Sequence, residues 1–184
     1  MGAPQDRPQP ELPHQYPVGR LPQLPDERRV QATLHEMADD MNASVQAWEA
    51  LLSGRRTDEL ARTYRPGAWT VQQLAHHTAD AHFHGLNRLR NGLTSERYVI
   101  QPFNQQAVMA LPDYALPVAE ALHLLHALDT RWAALLRGVN PSEFARRVVH
   151  PAEGEQDLWQ LATKHEWHLR HHLAQARVAL GHAG

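Results

Sequence analysis

Apolar residues recur at steps of three and four in four stretches of this chain, the spacing of one helical face. In the first stretch they are Val30, Leu34, Met37, Met41, Val45, Trp48 and Leu52, with Asp26 as the N-cap and Gly54 as the stop. Thr70 caps the second, whose stripe is Val71, Leu74, Ala75, Thr78, His82, Leu86 and Leu89, with Gly92 near its end. The third carries Val118, Leu122, Leu125, Leu128, Trp132 and Leu135 and closes at Gly138, and the fourth covers residues 156–180. Between them the pattern predicts a helical turn at 57–64, a short helical stretch at Phe103–Ala110 and a single turn at "NPSEF". "RRVVH" has extended character, but nothing in the sequence offers it a partner strand.

Four amphipathic helices with no convincing strand pattern predict an all-α four-helix bundle over residues 26–184. The connection between the second and third helices, residues 94–116, is long enough to cross the bundle, so simple up-and-down order is not required. Residues 1–25 hold seven of the thirteen prolines. Proline blocks helix and removes backbone donors, so this segment reads as an extended arm lying on the surface.

Composition narrows the chemistry. The chain has 184 residues and a net charge of −2 with both signs interspersed, which leaves no basic footprint for nucleic acid. No apolar run has the ~20 residues a membrane span needs and no signal segment opens the chain, so a cytoplasmic protein is expected. Cysteine is absent. Any metal site must therefore be built from imidazole, carboxylate or water.

The fourteen histidines are unevenly placed. "KHEWHLRHH", residues 164–172, contains four of them, and "LAHHTADAHFH" contains another four. At 100° per residue His165, His168 and His172 fall in or beside the core stripe of the last helix, while His171 falls on the opposite side. Each buried neutral imidazole brings a donor and an acceptor that need partners, and a cation satisfies the acceptors directly. His168 and His172, four apart, stack one turn from each other and form the better pair, with His165 as the alternative at three-residue spacing. A third ligand must come from the second helix. There His82 sits in the apolar stripe as a structural residue or supporting donor, His84 lies on the polar flank, and periodicity does not choose between His76 and His77.

"GAWTVQQLAHHTADAH" followed by a C-terminal His-x-x-x-His helix resembles the DinB/YfiT-like metalloenzymes, most closely the YfiT branch of metal-dependent hydrolases related to bacillithiol transferases. "YPVGRLP", "TRWAALL" and "VVHP" extend the resemblance over nearly the whole globular part, although within "HLRHH" the chain is poorer in histidine than that branch. The resemblance implies a four-helix bundle and a homodimer, for which the sequence adds only spare apolar positions. It also implies metal ligands at the second histidine of the tandem pair and the two of the last helix, which here are His77, His168 and His172.

Three imidazoles leave a divalent ion, zinc or nickel foremost, with open positions for catalysis. Water delivered there makes a hydrolase. A low-molecular-weight thiol cosubstrate makes an S-transferase, since the chain has no thiol of its own. The expected substrate is a small molecule, with no nucleic-acid or membrane partner. Asp80 is a candidate acceptor for a ligand ring N–H, and His150 a candidate proton shuttle or substrate contact. Arg88 is a candidate for an anionic substrate group. A non-catalytic bundle that binds a metal or small ligand is the competing reading, and an interaction module with incidental histidines a third.

Overall fold

Two reciprocal caps set where the site-bearing helices begin. Thr70 Oγ1 accepts the backbone N–H of Gln73 at 3.1 Å, while the Gln73 side chain accepts that of Thr70 at 2.9 Å. Asp157 and Gln160 repeat the exchange at 2.8 and 2.9 Å. Each pair satisfies amide donors that a helix start leaves unpaired. The computed structural model describes residues 15–182. In chain order its elements are α1 (Gln31–Leu52), α2 (Thr57–Leu60), α3 (Val71–Thr94), β1 (Tyr98–Val99), α4 (Gln105–Val108), α5 (Val118–Gly138), β2 (Arg147–His150), β3 (Gly154–Asp157) and α6 (Leu158–Ala179).

α1 packs on α5 and α6, and so does α3. The four long helices thus form a bundle in which α1 faces α3 across one diagonal and α5 faces α6 across the other. Up-and-down order is indeed broken, but not by the segment expected to do it. Residues 95–117 link α3 and α5, which are neighbours, whereas the steps across the bundle run from α1 to α3 and from α5 to α6. Leu34, Trp48, Leu74, Leu89, Leu125, Trp132, Leu158 and Leu161 fill the core, all nearly inaccessible. The two buried indoles also use their N–H groups: Trp48 donates to the Leu169 carbonyl at 3.4 Å and Trp132 to that of His82 at 3.3 Å. Among the described residues no helix is long and apolar enough to cross a membrane.

Three local expectations are corrected. Asp26 does not cap α1. It opens a separate 3₁₀ turn, Asp26–Arg28, and pairs with Arg29, so α1 begins at Gln31 and Val30 remains exposed. On α5 the buried line is Ala121, Leu125, Leu128, Trp132 and Leu136, with Leu122 and Leu135 on its flanks. "RRVVH" does find partners: β2 pairs in parallel with β1 and antiparallel with β3, in the order β1-β2-β3. Neither partner has a strand-like sequence, because one is two residues long and the other is "GEQD". Backbone pairing and the burial of Val148 and Ile100 hold this small sheet against the bundle. Arg146 ties it there, donating to the carbonyls of Gly92 at 3.0 Å and Ser95 at 3.3 Å at the end of α3.

Residues 15–25 of the expected arm have no helix or strand and run along α6. Gly19, at φ +79°, closes a turn onto the Tyr16 carbonyl. The Gly19 carbonyl accepts Trp167 Nε1–H at 3.1 Å, and the Gln15 carbonyl accepts the Gln175 amide at 3.1 Å. Residues 1–14 lie outside the described part.

One close approach locks α3 to α6. A Cβ at Gly85 would stand 2.3 Å from the His165 ring. Gly85→Ala gains up to ~1 kcal/mol of helix propensity, but overpacking costs about 1–3 kcal/mol. Net destabilisation in denaturant unfolding is expected; a more stable variant would mean that the His165 ring has room to move.

Candidate metal centre

His77 lies in the second turn of α3, and His168 and His172 stand one turn apart on α6. The packing of α3 on α6 turns all three inward. His168 Nε2 is 3.3 Å from His77 Nε2 and 3.0 Å from His172 Nε2. One ligand atom from each of the three lies within 4.8 Å of the others. Two nitrogens each about 2.1 Å from a common ion at a tetrahedral angle stand roughly 3.4 Å apart, so the spacing suits a shared cation. His77 and His172 are buried, and Trp69 packs on both rings, at 4.5 and 6.0 Å between centroids. Phe103 stacks beyond His77 at 6.4 Å.

The protonation of the trio follows from its partners. The Gln15 carbonyl can only accept, so the Gln175 side-chain nitrogen faces it and the Gln175 oxygen faces His172 Nδ1, at 2.7 Å. His172 therefore carries its proton on Nδ1 and presents a lone pair at Nε2. His168 Nε2 touches both neighbours but holds at most one proton. Whether protonated or not, it leaves one of its two contacts unsatisfied. A cation at the centre satisfies all three lone pairs. The neutral rings that ligation needs are also the rings that burial favours. Burial lowers the His77 pKa from 6.5 to about 4. It holds His168 and His172 well below 6.5, with help from the neighbouring imidazoles.

The other candidates sit elsewhere. His76 Nε2 meets the Leu116 carbonyl at 3.0 Å and packs beside Tyr114, anchoring the α3–α5 connection. His165 is not in the cluster: it lies deeper, between His82 at 5.5 Å, Trp132 at 5.3 Å and Gly85. His84, expected on a solvated flank, is half-buried and stacks on Phe103 at 4.2 Å. His171, expected on the outer side of α6, is buried instead, because the arm covers that side. It stacks on Trp167 at 4.5 Å, and its Nε2 meets the Gln175 amide at 3.0 Å.

Asp80 and His150 have partners of their own outside the cluster. Asp80 Oδ2 accepts the Tyr114 hydroxyl at 2.6 Å. The Nδ1 atoms of His77 and His168 are buried without a partner, and that of His172 belongs to Gln175, so Asp80 orients none of them. His150 Nδ1 accepts the backbone N–H groups of Ala152 and Glu153 at 3.2 and 3.0 Å, closing its own hairpin. The residue that does orient a ring, Gln175, was overlooked. Its place three residues after His172 was a readable signal; its partner in the arm was not.

Residues 40–176 match the family model of the DinB superfamily. A protein of Bacillus pumilus named "Putative metal-dependent hydrolase" is 34% identical over 161 residues, covering 87% of this chain and 91% of that one. A protein of the same name from Geobacillus thermodenitrificans is 33% identical over 172 residues, covering 89% and 92%. Among solved structures, YfiT from Bacillus subtilis, described as "a probable metal-dependent hydrolase with an unusual four-helix bundle topology", superposes with a TM-score of 0.82 at 26% identity, covering 94% of this chain and all of that one. The chain belongs to the DinB superfamily.

Gln175→Leu removes the acceptor that sets the His172 tautomer. It should weaken divalent-metal affinity about 10–100-fold in chelator competition while leaving the helical spectrum intact. Unchanged affinity would mean that His172 holds its orientation without Gln175.

Buried imidazoles also make the metal-free protein acid-sensitive. The unfolded chain takes up protons near pH 6.5, whereas His77, His82 and His171 resist down to about 4 in the folded state. Below 6.5 the unfolded state therefore binds more protons, and stability falls as pH drops toward 4. Melting temperatures of the metal-free protein should decline steadily across that window. A flat profile would contradict the burial of these rings.

Proposed function

We propose that the protein is a divalent-metal enzyme acting on a small molecule, with His77, His168 and His172 as the protein ligands of one ion. The observation that carries this reading is the convergence of three neutral, desolvated imidazoles on one point, with the His172 lone pair directed there through Gln175. The all-nitrogen donor set suits zinc or nickel. An ion so held supplies a Lewis acid with a position open to water or to a thiol.

The rest of the site belongs to the chain. Gln175 orients His172, while Trp69 and Phe103 shield the rings from bulk water, which strengthens electrostatic contacts inside. A cavity of about 370 Å³ reaches His172 and Trp69, room for a small molecule. A larger cleft of about 750 Å³ between the arm and the hairpin touches none of the three histidines. Tyr16 and Tyr64 bring hydroxyls and His171 an imidazole to the smaller cavity, beside His172. The reaction is hydrolysis or transfer to a thiol, and with no cysteine in the chain that thiol arrives as a cosubstrate. The names of the relatives favour hydrolysis.

Protein purified without a histidine tag should contain about one zinc or nickel per chain by elemental analysis, with nitrogen–metal distances of about 2.0–2.1 Å by X-ray absorption. His172→Ala should abolish tight binding. His171→Ala should keep the metal and lose stability, because it empties a buried site beneath the arm. Equal metal loss in both variants would sink the ligand set. Ester, amide and electrophile–thiol panels on the metal-loaded protein then decide the reaction. Bound metal with no turnover on any panel would leave a binding bundle in place of an enzyme.

A further inference from the structure

The cavity beside His172 has an electrostatic asymmetry that the metal reading does not use. Its walls come from the arm at Tyr16, from the segment ahead of α3 at Tyr64, Arg65 and Trp69, and from Gln106 of α4. Among the described residues no carboxylate lines it, and Arg65 is the one arginine or lysine that does. Of the other part-buried arginines all but Arg88 are matched to acids: Arg29 to Asp157, Arg55 to Glu59, Arg146 to Glu143 and Arg170 to Glu166. Arg65 is not. Its Nε is buried with no hydrogen-bond partner, and its guanidinium rests 5.5 Å over the Tyr64 ring. Burying such a donor unpaired costs free energy. Contact with Tyr64 limits its motion, so little ordering remains to be done when an anion arrives. Arg88, the arginine that the sequence suggested for this task, instead donates to the Gln101 carbonyl and does not line the cavity.

We propose that Arg65 forms an anion subsite, receiving a carboxylate or phosphate group of the substrate while the reacting end lies at the histidine cluster. A guanidinium suits either group, because its fork of N–H donors matches paired oxygens. The subsite rests on the metal reading above and narrows its substrates to small anionic molecules. Neutral compounds of the same size fill the cavity without engaging Arg65.

The full chain is tested metal-free, zinc-loaded and cobalt-loaded. Inorganic phosphate and succinate are titrated into the first two forms, followed by tryptophan fluorescence, since Trp69 borders the cavity. Saturable binding is expected, with a dissociation constant roughly tenfold or more higher in Arg65→Met, the loss of one charge-assisted contact. Arg65→Lys, which keeps the charge without the fork, should fall between the two and serves if the Met variant fails to fold. The tighter probe distinguishes a phosphorylated from a carboxylated substrate. On the cobalt form, 3-mercaptopropionate should bind about tenfold tighter than 2-mercaptoethanol by the thiolate-to-cobalt absorption band, and Arg65→Met should erase that preference. No anion response in the wild type, or an equal one in a folded Arg65 variant, overturns the subsite even where cobalt binds normally. An Arg65-dependent response in a protein that takes up no cobalt upholds the subsite and sinks the metal reading alone.

Discussion

The site depends on a single constraint: imidazoles placed between α3 and α6 cannot be solvated, so they must stay neutral and find partners for their lone pairs. Among the described residues six histidines are buried, and no carboxylate joins the three that converge. An acid beside them would favour imidazolium, the form that cannot ligate. With none there, desolvation keeps each ring in the state that a cation requires. The local features serve this arrangement. The caps at Thr70 and Asp157 fix where the helices start, and Gly85 lets α6 approach closely enough for facing rings to meet.

The helices were legible because burial on one face imposes a period of 3.6, and α3 and α6 begin where Thr70 and Asp157, just inside the expected start of the last helix, permit. The sheet was not legible. β1 is two residues long and β3 is polar, so its pairing comes from backbone geometry that side-chain pattern does not record. The path of the chain was only partly legible. A long connection suggested a crossing, but length alone does not say which helices are neighbours, and residues 95–117 form β1, α4 and a 3₁₀ turn at Pro112–Ala115.

The three converging histidines illustrate the same limit. Spacing selected His168 and His172 as a pair but left His165 as a rival, and it could not separate His76 from His77. The structure separates them by packing: His76 turns to the Leu116 carbonyl, and His165 turns to Gly85 and Trp132. His171 failed for a different reason. A helical wheel assigns its outer side to solvent, whereas here a segment more than 150 residues away covers that side.

That covering segment bears on the site more directly than its distance in sequence suggests. The Gln15 carbonyl orients the Gln175 amide, and the amide oxygen then fixes the proton of His172. Without the arm the amide is free to turn over, and its nitrogen would then face His172 Nδ1, favouring the tautomer whose proton points into the cluster. The lone pair that His172 presents is therefore set by a backbone carbonyl far away in the sequence. The same arm supplies Tyr16 to the cavity that holds Arg65. A proline-rich stretch that looks like a loose leader thus has two physical ties to the candidate site: it holds His172 in its lone-pair form, and it completes the wall of the cavity beside it.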